Sequence, residues 1–588
     1  MDKTEIDRLF SSQPLSEVVL ALKSELAKNQ LNVAVAEALD GISRRAEASS
    51  LSYIEDNNWE AFDAVAKFAV HFQLNTPILF KNAAVRSFLT RNFETALKIC
   101  DHLFTLEPRF SGDTQLLQIK AVCLSHADNL AVAIEIFRSQ ILIAKPFDLL
   151  AHHNFLQMLL DASEYEAALD HLSSVKELEK SKDVETIGLR LQALFGCKQY
   201  GQVISEFKRQ KIQDVASNPR LVSAVGNSLR QLGLFSEAIE LIKYHAMAHM
   251  QSLSDPIRLL QVNLLNDLGK HSEALGLVDK FISQSPNYPE ARLIRAQTLI
   301  RTGRTREGWA EFDARWHVRK PVSPYLHQVI PYLKPVGPKF RVVDTLLIWG
   351  EQGIGDHIMY LGYLERFIKL AVPKRVVVEL DERLVRLAKD SFLGIEFTSD
   401  ASQMYGEIDY QLPLGDLPKL LSLDSARLVS ERFSAFLKTS GLKISHPNRV
   451  VGISWSTSAN FNSVGRSVGL GQLLEFVAKD QGEAGLTVYI LNYVGLSFEE
   501  RQLIESSSLD LVVPDIDLFN DIDGVSEILT RCDHVYTIDN YLVHLVGALG
   551  VPATVFLPVN PDFRWGPAKS PVSMYESVAI SSVRALAG

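Results

Sequence analysis

The sequence predicts an α-helical repeat solenoid followed by an α/β half made of two parallel-sheet domains. Three observations predict it. A small residue returns at near-constant spacing through the first half, a proline-dense stretch follows Trp316, and short β-branched runs alternate with helical patterns from Arg341 onward.

The chain has 588 residues, which suits roughly three to four domain-sized units. It is 47% hydrophobic and 22% charged, with a formal net charge of -10. That balance, without any long basic run, argues against nucleic acid or acidic membrane as a partner. No apolar run of about 18 residues occurs, so no membrane span is expected. The N-terminal stretch "MDKTEIDRLF" lacks a basic-then-apolar leader pattern. Cys100, Cys123, Cys197 and Cys532 lie far apart, with no paired metal-ligand spacing, and no metal site is expected. A cytoplasmic chain with free thiols is the expectation.

Residues 1–50 read as a helical cap and 51–316 as the solenoid. A pattern of aromatic, two residues, alanine and aliphatic recurs, as in "NFETALKI", "EYEAALDH", "LFSEAIEL" and "KHSEALGL". Its small residues are Ala96, Ala133, Ala168, Val203, Ala238, Ala274 and Gly308, at spacings of 37, 35, 35, 35, 36 and 34. A helix pair cannot bury its own apolar face, and a small residue lets its two helices approach so that stacking completes the core. A degenerate further unit is expected near Trp59. The concave face of such an array suits a polypeptide partner, and a rigid spacer or dimerisation arm is the alternative. Five prolines in 317–340 bar a helix, so this stretch reads as a linker.

From 341 to 447 the strands expected are "VDTLLIWG", "RVVVEL", "GIEFTS" and "IDYQLPL". From 448 to 588 they are "RVVGISW", "LTVYILNY", "LDLVVP", "HVYTIDN" and "PATVFLP". Two βαβ domains of this kind bind ligands in the crevice at the carboxyl ends of their strands.

"WGEQGIGDHI" is a glycine-rich strand-to-helix turn. Its third fingerprint glycine is replaced by Ile358, and no Walker lysine follows. The helix start that would attract a phosphate is filled by Asp356. The expected role is a carboxylate acting as general base, flanked by Glu351 and His357, which are candidate substrate contacts. The alternative is a helix cap. A second cluster, "YTIDNYLVHLVGALG", puts Asp539 at a strand end, with Asn540 and His544 at the following helix start. A third, "GISWSTSANFNSVGRS", offers Ser454, Ser456 and Arg466, where a polar loop and a guanidinium can converge on phosphate. Asn492 joins this donor-side set. In "DFRWG", Trp565 could stack on a base and Arg564 could hold a phosphate or the acceptor.

The repeat unit resembles the tetratricopeptide repeat. "GWAEFDARW", the proline linker, "WGEQGIGD", "GISW…GRS" and "YTIDNYLVHLVGALGVP" together resemble the bacterial tetratricopeptide-repeat glycosyltransferases, whose catalytic half is similar to the heptosyltransferase group of the GT-B fold. The resemblance implies a GT-B double Rossmann half, with acceptor side first and donor side second. It implies an inverting, metal-independent transferase using a nucleotide-sugar donor and no other cofactor. It carries the base to Asp356 and the donor contacts to Asp539, His544 and Arg466. The sequence departs from the family where Asp-Thr-Ala is common: Asp539 is followed by Asn540 and the bulkier Tyr541. Ser456 stands where a glycine is frequent. The fusion of repeats to such a half resembles flagellin glycosyltransferases that attach nonulosonic acids such as pseudaminic acid from CMP-linked donors. That implies flagellin or another polypeptide as acceptor. A catalytically inactive scaffold, or a saccharide or lipid transferase, is the alternative.

Overall fold

The computed structural model describes Phe62, Val65, Ala66, Ala69 and residues 76–127, 129–209, 218–249, 253–318, 334–335, 344–421, 432–439, 448–457, 466–567 and 571–587. The expected cap at 1–50, the unit near Trp59 and most of the linker at 317–340 lie outside them. The chain forms two compact units, Met1–Gln210 and Lys211–Gly588.

The first unit stacks helix pairs. These are α1 (Pro77–Leu89) with α2 (Phe93–Leu106), and α3 (Thr114–His126) with α4 (Leu130–Ile136), which a π turn prolongs. Then come α5 (Leu149–Asp161) with α6 (Tyr165–Ser174), and α7 (Val184–Gly196) with α8 (Tyr200–Phe207). The second unit opens with three more pairs: α9 (Pro219–Gln231) and α10 (Phe235–His249), α11 (Asp255–Asp267) and α12 (His271–Gln284), α13 (Pro289–Arg301) and α14 (Thr305–Glu311). A 3-10 turn, Phe312–Trp316, ends the last pair.

The recurring small positions Ala96, Ala133, Ala168, Val203, Ala238 and Ala274 are all 0% exposed. At Gly308 a Cβ would stand 2.6 Å from the Ala296 carbonyl oxygen, so α13 and α14 meet where no side chain fits. The tight turns between paired helices carry a left-handed residue at Arg91, Ser163, Lys198, Gly233, Gly269 and Gly303, with φ from 59° to 84°. Glycine adopts that conformation without a Cβ penalty. Only the later repeats use it, so their turns are the ones plain in the sequence.

Two parallel sheets follow. The first holds β1 (Lys334–Pro335), β2 (Thr345–Trp349), β3 (Arg375–Glu379), β4 (Glu396–Thr398) and β5 (Tyr410–Pro413), in the order β1-β5-β2-β3-β4. Helices α15 (Ile354–Leu361), α16 (Leu364–Ala371) and α17 (Glu382–Ser391) connect them. The second holds β6 (Arg449–Ile453), β7 (Leu486–Ile490), β8 (Asp510–Val512), β9 (His534–Ile538), β10 (Ala553–Leu557) and β11 (Val578–Ser582), in the order β11-β10-β9-β6-β7-β8. Its helices are α18 (Leu470–Gln481), α19 (Phe498–Glu505), α20 (Ile522–Leu529) and α21 (Tyr541–Leu549). Two strands were not expected from the sequence. β1 lies inside the proline stretch, where an edge position tolerates Pro335. β11 is short and serine-rich and pairs along β10.

The last repeats share a core with the α/β part. Ala296, Ile300, Trp309 and Phe312 belong to the same apolar cluster as Ile348, Tyr360 and Leu545. Trp309 meets Phe563 and Tyr360 edge-on at 6.0 and 6.4 Å. Arg315 donates to both oxygens of Glu351 at 2.9 and 2.7 Å and to Asp416 at 2.5 Å. Lys419 pairs with Asp313. Fully burying one such aromatic stabilises by about 1.5–3 kcal/mol, whereas the ion pairs chiefly fix geometry. The boundary between compact units therefore falls after Gln210, inside the stretch expected as one solenoid over 51–316.

Candidate functional site

β2 and β9 point their carboxyl ends at one region of the second unit. β2 runs into Gly350 and the turn that starts α15. β9 runs into Asp539 and α21. The two helices touch closely: a Cβ on Gly355 would stand 3.2 Å from Tyr541 Cα and 3.2 Å from His544 Cδ2. Glycine at 355 is thus what allows Asp356 to approach the second sheet.

Asp356 is the third residue of α15. Its Oδ2 accepts from the Gly353 N–H at 3.2 Å, so the carboxylate caps its own helix. Its Oδ1 accepts from Arg564 Nε at 2.6 Å. Arg564 also donates from Nη2 to Gln352 Oε1 at 2.7 Å and from Nη1 to Asp562 Oδ1 at 3.0 Å. Gln352 is left-handed, with φ 67°, a conformation a non-glycine residue adopts only when its surroundings impose it. Asp562 is shared, since Arg466 Nη2 donates to its Oδ2 at 3.2 Å. Asp539 Oδ2 lies 3.2 Å from Arg466 Nη2, yet the angle makes no hydrogen bond and this buried oxygen has no other partner among the described residues. One line of charge therefore runs Asp356, Arg564, Asp562, Arg466, Asp539.

Burial pushes the Asp562 carboxyl up, but Arg564, Arg466 and Arg301 outweigh it and hold it well below the usual carboxylate range. For Arg564, burial works against the charge, and Asp356 and Asp562 more than restore it. His544 is buried, and that burial lowers its pKa against the pull of Asp539 and Asp356. Its Nδ1 pairs with Tyr575 Oη at 2.9 Å, and its ring stacks near Trp565 at 6.1 Å. The Trp565 Nε1–H and the Tyr360 hydroxyl are buried without a partner among the described residues.

Other candidates take places in the scaffold. Glu351 is 2% exposed and faces Arg315, not the Asp356 carboxylate; the Gly415 N–H also donates to it, at 3.1 Å. His357 accepts at Nδ1 from the Asp381 N–H at 3.2 Å, and burial lowers its pKa. Asn540 caps α21 through the Leu542 N–H at 3.0 Å and donates to Ser454 Oγ at 3.0 Å. Asn492 accepts from the Ser456 N–H at 3.0 Å and the Trp455 N–H at 3.3 Å. Ser454, Ser456, Asn492 and Asn540 thus brace the ends of β6, β7 and β9. The polar loop after Ser456 lies mostly outside the described residues. Sequence reading did not single out Asp562, Gln352 or Tyr575. Asp562 stood in the quoted "DFRWG" motif. Gln352 had only its place between glycines as a signal, and Tyr575 had none.

Among the described residues, no group of three or more His, Cys, Asp or Glu side chains is placed to share a metal ion. Nor is any described helix long and apolar enough to cross a membrane. All four cysteines are free.

No protein-family model matches the chain, and no curated protein matches it. Among solved structures it is similar to the dodecameric iron-containing heptosyltransferase TibC in complex with ADP-D-beta-D-heptose, at 12% identity and TM-score 0.31 over 42% of this chain. The match spans 64% of TibC's own length. It is similar to a tetratricopeptide repeat protein from Parabacteroides merdae, at 12% identity and TM-score 0.37, over 44% of this chain and 98% of that one. A third is the glycosyl transferase family 9 protein from Veillonella parvula, at 10% identity and TM-score 0.32, over 42% of this chain and 89% of that one. Likeness at this level settles neither family nor activity.

Proposed function

We propose that this chain is a protein O-glycosyltransferase with a GT-B arrangement of its two sheets. It moves a sugar from a nucleotide donor to a Ser or Thr hydroxyl of a polypeptide, flagellin being the acceptor the sequence resemblance favours. The observation that carries the reading is the charge line from Asp356 to Asp539 across the carboxyl ends of β2 and β9. Asp356 takes the proton of the acceptor hydroxyl while its oxygen bonds to the anomeric carbon, and the bond from that carbon to the donor phosphate breaks. The nucleotide leaves with the electron pair, toward Arg466 and Arg564. Attack opposite the leaving group inverts the anomeric centre, and no metal is assigned a step. A CMP-linked nonulosonic acid is the proposed donor, because its single phosphate asks for few cations. The helix-pair array recruits the acceptor, in the cytoplasm.

The second reading, an inactive scaffold, is favoured by one observation: both Asp356 oxygens are already engaged, by Gly353 and Arg564. Mass spectrometry of flagellin separates the two. Flagellin from cells carrying the Asp356→Asn chain should lose the mass of the sugar. An unchanged mass rejects the flagellin transferase reading.

A further inference from the structure

A cavity of about 230 Å³ opens between the ends of three repeat helices and the loop after β10. Its floor includes Arg230, Asp267 and Arg301 from the repeats, and Arg466, Asn560 and Asp562 from the α/β part. The repeat register builds it. Gln231, Asp267 and Arg301 are the last residues of α9, α11 and α13, at intervals of 36 and 34, so they stand on one edge of the stack.

The charged side chains there are not equivalent. Arg230 donates to both oxygens of Asp267, from Nη2 at 3.2 Å and from Nε. Asp562 is held by Arg466 and Arg564. Arg301 is 9% exposed, and its Nε is buried without a hydrogen-bond partner among the described residues. Its guanidinium lies over the Phe563 ring at 5.9 Å. A cation in the last turn of a helix is favoured by the helix dipole, which accounts for a charge at this position. It does not account for a buried Nε–H left unmatched, since such a donor costs free energy unless something accepts from it.

We infer that this cavity is a small-oxyanion site, in which Arg301 and Arg466 bind a phosphate-sized group between the last repeats and the second sheet. The volume is below the roughly 300–1,000 Å³ that whole small-molecule ligands occupy, so one oxyanion group fits rather than a complete nucleotide. A guanidinium suits it because two parallel N–H donors match two oxygens of a tetrahedral anion. The group is either free phosphate or the phosphate of a nucleotide whose remainder lies outside. The site goes beyond the transferase reading, because oxyanion binding and sugar transfer are separate readouts.

The test uses the full chain and follows its thermal unfolding in sodium phosphate, in CMP and in sodium chloride of matched ionic strength. Phosphate or CMP should raise the Tm saturably, by about 3–5 °C at a hundred times its Kd. Phosphate acting alone or alongside CMP identifies the free anion. A CMP response without a phosphate response identifies the nucleotide's group here only where Arg301→Met abolishes it; a CMP response that Arg301→Met keeps belongs to the donor site and overturns the inference. Arg301→Met should lose the response to added anion, whatever its Tm in chloride, since the shift is read against its own chloride melt. Arg301→Lys keeps the charge but not the fork, and should weaken the apparent affinity at least tenfold. A parent chain whose Tm is the same in all three salts, as for a cavity that holds only water, overturns the inference. So does an Arg301→Lys variant that responds like the parent, whatever becomes of Arg301→Met.

Discussion

Arg564 donates from Nε to Asp356 Oδ1 at 2.6 Å, tying the loop after β10 to the first turn of α15. The carboxylate proposed to take a proton is therefore held by a cation from the opposite sheet. That pairing fixes where the carboxylate points and makes the two residues separable by mutation.

Replacing Asp356 by Asn keeps the shape and removes the base. Sugar transfer should fall at least about 100-fold, the lower range for a general base. Donor affinity, followed by calorimetry, should stay within a factor of about three of the parent. Near-parental turnover removes Asp356 from the chemistry.

Arg564→Met acts on stability instead. It leaves Asp356 and the buried Asp562 without their shared cation. Removing one partner of a buried ion pair costs about 3–5 kcal/mol, so urea unfolding should show a loss of that order in the second unit. A loss below about 1 kcal/mol would mean that the pair is solvated and does not organise the site.

Gly355→Val tests the close approach of α15 and α21. Side-chain atoms would press on Tyr541 Cα and His544 Cδ2, both 3.2 Å from the first carbon added. Overpacking of this kind costs about 1–3 kcal/mol, and displacement of Asp356 should lower transfer as well. Unchanged stability and turnover would show that the helices slide apart freely.

Deletions should respect the compact units. A chain starting after Gln210 keeps Trp309, Phe312 and Arg315, so it should melt cooperatively, still bind nucleotide and fail to modify a polypeptide. A chain starting after Trp316 strips Arg315 from the buried Glu351 and Asp416 and should not fold. Circular dichroism melts distinguish the two. If the shorter deletion modifies the polypeptide as well as the whole chain does, the first four helix pairs do not recruit it.

Acid should weaken both units through buried imidazoles. Burial, and then the charge of His152, push His171 down to about 4, and burial lowers His544. A folded pKa below the unfolded value of about 6.5 means that the unfolded chain binds more protons in between. The contribution is thus full above pH 6.5 and is lost as pH falls toward 4 for His171. His171→Phe should flatten the dependence of Tm on pH across that window, and an unchanged slope would place the titration elsewhere.

The repeats were legible because a fixed interval between small residues has few other causes; the small residues from Ala96 to Ala274 are all fully buried, and Gly308 sits where its paired helices meet. The sheets were legible from apolar runs such as that of β2, which is buried on both faces. β1 and β11 were not, because an edge strand needs no apolar run. At the site, glycines and a terminal carboxylate pointed to the turn at Asp356. What that carboxylate faces could not be read, since Arg564 lies 208 positions later. Glu351 misled for the same reason. A glutamate beside a glycine turn suggests chemistry, but its partner Arg315 comes from the end of the repeats.

The edge of the stack that carries Gln231, Asp267 and Arg301 holds, in successive rungs, an amide, an anion and a cation. Each is the last residue of its helix, where side-chain identity matters little to the crossing that small residues enforce deeper in. Substitutions on these rungs can therefore change what the corner between repeats and sheet prefers while the ladder itself stands. Specificity at this corner is free to change on an unaltered frame.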